Sequence, residues 1–325
     1  METLKTTRRA VPEGIVTDHA LTAEHVTTAS LVATYEAAAQ SKATAAAYEA
    51  DMRHFLRFGG TVPAHPSVVA EYLATYAGKL SVATLRRRLV AIHRAHVDVT
   101  LVSPVKDPIV KRTMQGIRRT FGTKQRKVTA IVKDDLLELM VFIDQQKPMK
   151  AARDRALLLI GFAGAFRRSE LVSLQVEDIS TFPGGIELII RRSKTDQEGA
   201  GRTVFIPYAR GNRCPTKALR DWLELSGIVK GALFRPVNCH DHVSLQKALT
   251  PAAVAQIVKS AVRRARGEEF AKNVAGHSLR AGFCTEAAMV GMPAHQIREV
   301  TGHKSDATLS KYIRPVSQRK IPTLL

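Results

Sequence analysis

The chain has 325 residues, more than one ordinary core accommodates and a length that suits two domains. Its 45% hydrophobic content supports a large interior, and its 24% charged residues are the usual share of a globular protein. With 49 Lys and Arg against 29 Asp and Glu, the net charge is +20, so the first partner class indicated is a polyanion, nucleic acid ahead of a membrane surface or a ribosome. No run of about 18 apolar residues occurs, which excludes a membrane-spanning helix. The start, Met1–Ala10, carries Lys5, Arg8 and Arg9 with no apolar stretch behind them, unlike a secretory signal. Cys214, Cys239 and Cys284 are scattered and odd in number, pointing to a reducing compartment rather than a disulfide framework. Cys239-His240-Asp241-His242 offers metal-binding residue types, but adjacent residues do not converge on one ion and no second pair sits at finger spacing. No metal site is expected.

In chain order, residues 1–20 are polar, with Pro12 and Gly14, and are expected to form a flexible N-terminus. Residues 21–122 read as a helical domain. Ser41 caps a helix with Tyr48, Met52, Phe55 and Leu56 on one side, and Gly59-Gly60 ends it. Pro66-Ser67 opens the next, striped by Val69, Tyr72, Leu73 and Tyr76. Ser81 caps a third through Leu85, Leu89 and Ile92, which displays Arg86, Arg87, Arg88, His93 and Arg94 on more than one face. A last helix spans Asp107 to Arg119 with Ile109, Met114 and Ile117 inward. The basic run from Arg118 to Lys127 reads as an inter-domain connection, either solvated or lying along DNA, with the linker proper at 123–130. The candidate DNA contacts of this half are Arg86, Arg87, Arg88, Arg118, Arg119, Lys124, Arg126 and Lys127.

From Ile131 to the end the pattern is mixed. Lys133–Gln145 and the apolar Asp154–Phe166 read as helices, and Ile186–Arg191 with Thr203–Ile206 as a β-hairpin whose loop holds Lys194. Helices follow at Pro215–Leu225, Pro251–Arg264, Cys284–Met289, Ala294–Val300 and Asp306–Ile313. Four local patterns stand out: Phe166-Arg167-Arg168-Ser169-Glu170-Leu171, Ser193-Lys194-Thr195, Gly276-His277-Ser278-Leu279-Arg280, and Thr301-Gly302-His303 followed by Tyr312. Singly each is ordinary. An Arg-x-x-Glu is usually an ion pair on one helix turn, a loop Lys is usually solvated, and a Tyr near a C-terminus usually packs.

Taken in order, the set Arg, Lys, His-x-x-Arg, His, Tyr resembles the tyrosine recombinase (phage integrase) family, and its Cre-like branch in particular. Arg167-Arg168-Ser169-Glu170-Leu171 is similar to the family's first arginine box, Gly276-His277-Ser278-Leu279-Arg280-Ala281-Gly282 to its second, and Gly302-His303 with Lys311-Tyr312-Ile313-Arg314 to its third motif and nucleophile. The likeness runs from about Leu21 to Ile313 and is weaker in the N-terminal half. It implies a mainly α fold with a small β-sheet: a helical core-binding domain over 21–122 and an α+β catalytic domain over 131–325, forming a C-shaped clamp on DNA. Two departures stand out. Ala281 occupies a position where many members carry His, and His303 one where some Cre-like members carry Trp. Arg314-Pro315 and Pro322 interrupt the tail, which argues against a long exchanged helix there.

The chemistry accounts for the residue types. A phosphodiester gains charge as it is attacked, and without a metal that charge needs fixed cations. Arg167 and Arg280 are the candidates, because a guanidinium stays charged and its fork fits two phosphate oxygens. Arg168 points about 100° away from Arg167 on a helix, and the register of the box favours Arg167. Tyr312 forms an ester that remains a good leaving group on resealing, and with an ordinary pKa near 10 it must lose its proton during attack. His277 is suited to act as general base or to position the phosphate. The resemblance further implies that Lys194 is the general acid for the departing 5′ oxygen. It gives His303 a hydrogen bond to a non-bridging oxygen and Glu170 a supporting role. It implies no cofactor, since the phosphodiester is conserved as a phosphotyrosine. The expected partner is double-stranded DNA carrying inverted-repeat sites, bound by a dimer per site and a homotetramer on two sites, in the bacterial cytoplasm. A type IB topoisomerase, or a DNA-binding relative without activity, are the alternatives at this point.

Overall fold

The computed structural model describes residues 28–123, 128–191 and 201–305, with Ala307, Leu309, Ser310 and Tyr312. The N-terminal segment 1–20, Lys124, Arg126, Lys127, Lys194 and the tail from 313 lie outside the described residues. The chain divides into two compact units, residues 1–125 and 126–325.

The first unit is helical: α1 (Thr28–Ala38), α2 (Lys42–Arg57), α3 (Pro66–Tyr76), α4 (Val82–Val97) and α5 (Pro108–Phe121). The caps are those the sequence suggests. Ser41 and Ser81 accept the N–H groups of Thr44 and Thr84 at 3.2 and 3.1 Å, and Asp107 accepts that of Ile109 at 2.8 Å ahead of Pro108. Helix α2 packs on α4 and α3 on α5, around Phe55, Tyr72, Leu73, Leu85 and Ile92. Two expected core residues are outside it: Leu56 is 50% exposed and Ile109 is 40% exposed. The buried stripe of α5 is Val110, Met114 and Ile117, which keeps the 4-and-3 spacing of one helix face. Leu56 lies one residue past Phe55, on the flank of its stripe.

Arg88 also corrects the sequence reading. It shares the inward face of α4 with Leu85, Leu89 and Ile92 and is 8% exposed. Its Nη1 donates to Tyr72 Oη at 2.9 Å and lies 3.0 Å from His54 Nδ1, while its Nε is 3.5 Å from the buried Asp51 carboxylate. It is a core residue, not a DNA contact. Arg87 is exposed, with Nε and Nη2 donating to the two Asp51 oxygens at 2.7 and 2.9 Å. Arg86 is exposed, as are Arg118 and Arg119, which belong to the last turn of α5 rather than to a linker.

The second unit contains α6 (Lys133–Ile143), α7 (Pro148–Ala163), α8 (Arg168–Ser173), β1 (Ile179–Phe182), β2 (Gly185–Ile190), β3 (Arg202–Pro207), α9 (Pro215–Ser226), α10 (Pro251–Lys272), α11 (Ser278–Met289) and α12 (Ala294–Thr301). The expected hairpin is β2–β3, running from Gly185↔Pro207 to Ile190↔Arg202. A third strand, β1, adds to β2 through a turn at Pro183-Gly184, where Gly184 has φ 94. Its short polar sequence carries little alternation. Apolar helix α7 packs against α9, α11 and α6. Trp222 is fully buried between them and donates its ring N–H to Leu233 O at 2.9 Å. Asp241 accepts the first N–H groups of α7, from Met149 and Lys150, both at 2.9 Å. Helix α10 runs past Arg264 to Lys272, broken at Gly267 (φ 81). No helix among the described residues is long and apolar enough to cross a membrane.

The segment entering this unit is pinned to the site described next. Ile131 N–H donates to Ser278 O at 3.1 Å, and a Cβ on Gly282 would lie 1.7 Å from Ile131 O. Gly282→Ala must therefore displace backbone. It is expected to lower the unfolding free energy by about 2–3 kcal/mol. Urea titration measures this, and an unchanged midpoint would contradict the close approach.

Candidate active site

Helix α7 ends at Ala163, and the chain turns through Gly164 and Ala165 into α8. Ala165 is fully buried with φ 48, a left-handed conformation that a non-glycine residue adopts only when its surroundings require it. Its carbonyl accepts Arg280 Nη1 at 2.7 Å. Arg167 follows as the N-cap of α8, and Glu170 sits one turn on. Glu170 accepts the Arg167 backbone N–H at 2.9 Å and Arg167 Nη1 at 2.5 Å. It is fully buried. Burial pushes its carboxyl up, but the Arg167 N–H, the Arg167 guanidinium and Arg202 hold it below the ordinary range.

Helix α11 supplies the second pair. His277 is its N-cap residue, and Arg280, within the first turn, has no exposed surface. Gly276 before them has a steric reason: a Cβ there would lie 2.0 Å from Arg168 Cδ, so the Arg168 side chain crosses the glycine. Arg280 Nη2 points at His303 Nε2, 3.2 Å away. A guanidinium only donates, so Nε2 carries the lone pair and Nδ1 the proton. Nδ1 then donates to Thr301 Oγ1 at 2.8 Å, and Thr301 Oγ1 donates to Ile297 O at 2.7 Å. His303 is thereby neutral and held as one tautomer.

Tyr312 packs with Cys284, Ala287, Ile297 and Leu309. Its hydroxyl is hydrogen-bonded with His277 Nε2 at 2.7 Å, and its ring centroid is 6.0 Å from that of His303. Burial raises the phenol's pKa, and Cys284 adds to the rise, while Arg280 and Arg167 oppose it. His277 and His303 are both lowered to about 4, first by burial and then by the charge of Arg280 and Arg167. Arg280 is lowered to about 10 by burial and by Arg167. The site is thus a cluster of guanidinium groups around one buried carboxylate, with two neutral imidazoles beside a protonated phenol.

Arg167, Glu170, His277, Arg280, His303 and Tyr312, named from three of the four motifs, come together here. Lys194 lies outside the described residues. Two residues of the cluster escape sequence reasoning. Thr301, whose hydroxyl fixes His303, reads as ordinary helix-end polarity. Arg202, at the first position of β3, reaches Glu170 and the Val300 carbonyl, and nothing local to Gly201-Arg202-Thr203 signals it. Among the described residues no group of three or more His, Cys, Asp or Glu is placed to hold a metal ion.

The profile of the phage integrase family matches residues 129–319. An integrase/recombinase xerD homolog of Selenomonas ruminantium is 38% identical over 256 residues, covering 78% of this chain and 74% of the relative. Recombinase cre of Escherichia phage P1 is 25% identical over 78% of this chain and 76% of the relative. In fold, the chain is similar to a XerH site-specific recombinase bound to a palindromic difH substrate in a post-cleavage complex, with a TM-score of 0.59, 23% identity, and coverage of 78% of this chain and 70% of that one. The chain belongs to the phage integrase family, the tyrosine recombinases. Its activity is site-specific DNA recombination, by breaking and rejoining DNA strands.

Both histidines are harder to protonate in the folded chain than in the unfolded one. The unfolded state therefore takes up protons first as pH falls. This share of the stability is complete above pH 6.5 and is lost as pH drops toward about 4. In ring-carbon NMR titrations the two imidazoles are expected to keep neutral shifts through pH 5.5. A midpoint near 6.5 for either would contradict the arrangement.

Proposed function

We propose that Tyr312 is the nucleophile of strand cleavage and that it forms a 3′-phosphotyrosyl intermediate. The observation that carries this reading is the 2.7 Å hydrogen bond between Tyr312 Oη and His277 Nε2, next to the Arg280–His303 pair. A neutral imidazole has a lone pair free to accept a proton, and in the tautomer with the proton on Nδ1 that lone pair is on Nε2, within hydrogen-bond reach of the hydroxyl that must lose one. In the forward step Oη attacks phosphorus, its proton passes to His277 Nε2, and the bond to the 5′ oxygen breaks. Lys194 donates the proton that oxygen needs. In rejoining, a 5′ hydroxyl returns its proton to Lys194 as it attacks the phosphotyrosine, and the phenolate leaves and recovers its proton from His277. The ester energy is conserved in the protein–DNA bond, so no nucleotide or metal is needed.

Arg167 and Arg280 clamp the phosphate from two elements that Glu170 and the Ala165 carbonyl hold rigid. His303 has a role beyond a direct bond to a non-bridging oxygen. With Nε2 as acceptor it aims Arg280, and it donates to phosphate only after taking a proton at Nε2. Arg168, exposed beside the site, contacts a flanking phosphate.

The partner is double-stranded DNA with inverted-repeat sites, bound by two protomers per site and four in the synapse, with exchange through a Holliday junction. The exposed Arg86, Arg87, Arg118 and Arg119 of the N-terminal unit contact this DNA, as do Lys124, Arg126 and Lys127. The relatives named above support a DNA-associated role in a bacterial cytoplasm.

A suicide duplex built from inverted repeats flanking the gene tests the reading. Wild-type protein is expected to accumulate a covalent adduct, in EDTA as well as without it. Tyr312→Phe should bind the duplex and form none, and an adduct in that variant would remove Tyr312 as nucleophile. Arg167→Ala and Arg280→Ala are each expected to slow adduct formation by about 100- to 1000-fold.

A further inference from the structure

We propose that Arg202 is a positioning residue for strand cleavage, which locks the phosphate clamp to the turn that carries His303. The inference rests on the roles given above to Arg167, Arg280 and His303.

Arg202 opens β3, opposite Ile190, with its guanidinium directed into the site. Nη2 lies 3.3 Å from Glu170 Oε2, and Nη1 donates to Val300 O at 2.5 Å. One planar group therefore joins three elements: β3, the start of α8 and the end of α12. The division of Glu170 makes the coupling specific. Oε1 takes Arg167 Nη1, while Oε2 takes both the Arg167 backbone N–H and Arg202. A carboxylate gripped on both oxygens cannot rotate, and neither can the arginine it orients. At the other end, Val300 directly precedes Thr301, whose hydroxyl fixes the His303 tautomer.

Two further observations set Arg202 apart from an ordinary ion pair. Its Nε is buried with no hydrogen-bond partner, and its guanidinium pKa is lowered by that burial despite Glu170. Such a group is costly to keep, and a core built for stability alone would not need it. The neighbouring Gly302 has φ 63, and a Cβ there would stand 2.9 Å from Arg202 Nε. The glycine of Gly302-His303 thus serves the close passage of this arginine. A lysine has one point of charge and cannot span Glu170 and Val300 together.

Arg202→Gln and Arg202→Lys in the full chain test the proposal, with Arg167→Ala and Lys194→Ala as references. Single-turnover cleavage is measured on three forms of the suicide duplex: the plain phosphodiester, a scissile methylphosphonate, and a 5′-bridging phosphorothiolate. The methylphosphonate has less charge to clamp, and the thiolate leaves without a proton. Both Arg202 variants are expected to cleave the plain duplex about 10- to 100-fold more slowly, the scale for misplaced catalytic groups, with affinity within about threefold of wild type. Their defect should shrink on the methylphosphonate, as for Arg167→Ala, and persist on the phosphorothiolate. Rescue by the phosphorothiolate, as expected for Lys194→Ala, would place Arg202 on the leaving-group side and overturn the proposal. So would wild-type cleavage, or a rate loss matched by lost affinity or a lowered melting temperature. If Gln does not fold, the Lys variant decides. If Arg167→Ala itself cleaves at the wild-type rate, the reading of the site fails instead.

Discussion

A fully buried carboxylate amid guanidinium groups is the constraint on which this site depends. Glu170 is out of contact with water, and a carboxylate so placed persists only when its oxygens are fully engaged. The partners that engage it are Arg167 and Arg202. Those partners have the converse need. Arg167, Arg202 and Arg280 repel one another, which adds to the burial that lowers Arg280. Glu170 is the negative charge bonded to Arg167 and Arg202, so the geometry of those two cations is fixed by the position of one anion, while Arg280 is held by the Ala165 carbonyl and His303. A phosphate entering here would be a second anion meeting cations already set in place, which is the preorganisation that charge stabilisation in a transition state requires.

Burial, reinforced at the two imidazoles by the same positive charge, decides the protonation of the groups nearby. The two imidazoles are kept neutral by burial and by the arginines, and the phenol keeps its proton because it too is buried. The Tyr312 phenol therefore faces a neutral His277 imidazole with its own proton still in place. Hydrogen bonds alone carry the arrangement outward, from Arg280 to Ala165 O, from His303 to Thr301 and from Thr301 to Ile297 O. The turn after α7 and helices α11 and α12 thus each surrender a backbone or side-chain group to the site. The left-handed Ala165 is the clearest local concession to it.

Much of this was legible in the sequence for a physical reason. Reactive groups have few substitutes, so Arg167, His277, Arg280, His303 and Tyr312 stand in short motifs that can be read by residue type. Caps are local as well, and Ser41, Ser81 and Asp107 act where the pattern places them. What stayed hidden depends on packing between distant segments. Arg202 is an arginine in a basic chain until β3 brings it beside Glu170. Thr301 matters only because Ile297 O lies one turn behind it. Leu56 and Ile109 are apolar residues on the wrong side of their own helices, and choosing between Ile109 and Val110 needs the position of α3. Strand β1 is only four residues long, too short for Ile179-Ser180-Thr181-Phe182 to show a pattern, and it is held by pairing with the edge of β2.

Arg87 and Arg88 on α4 bear on a different question, that of reprogramming. They are neighbours in sequence and share Asp51, yet one lies on the surface and the other in the interior. A library meant to alter what α4 recognises can vary Arg86 and the outward Arg94 on a scaffold that stays intact. Extending it to Arg88 would select for folding rather than for recognition. Arg87 stands between the two cases, because changing it also releases the carboxylate that its buried neighbour needs.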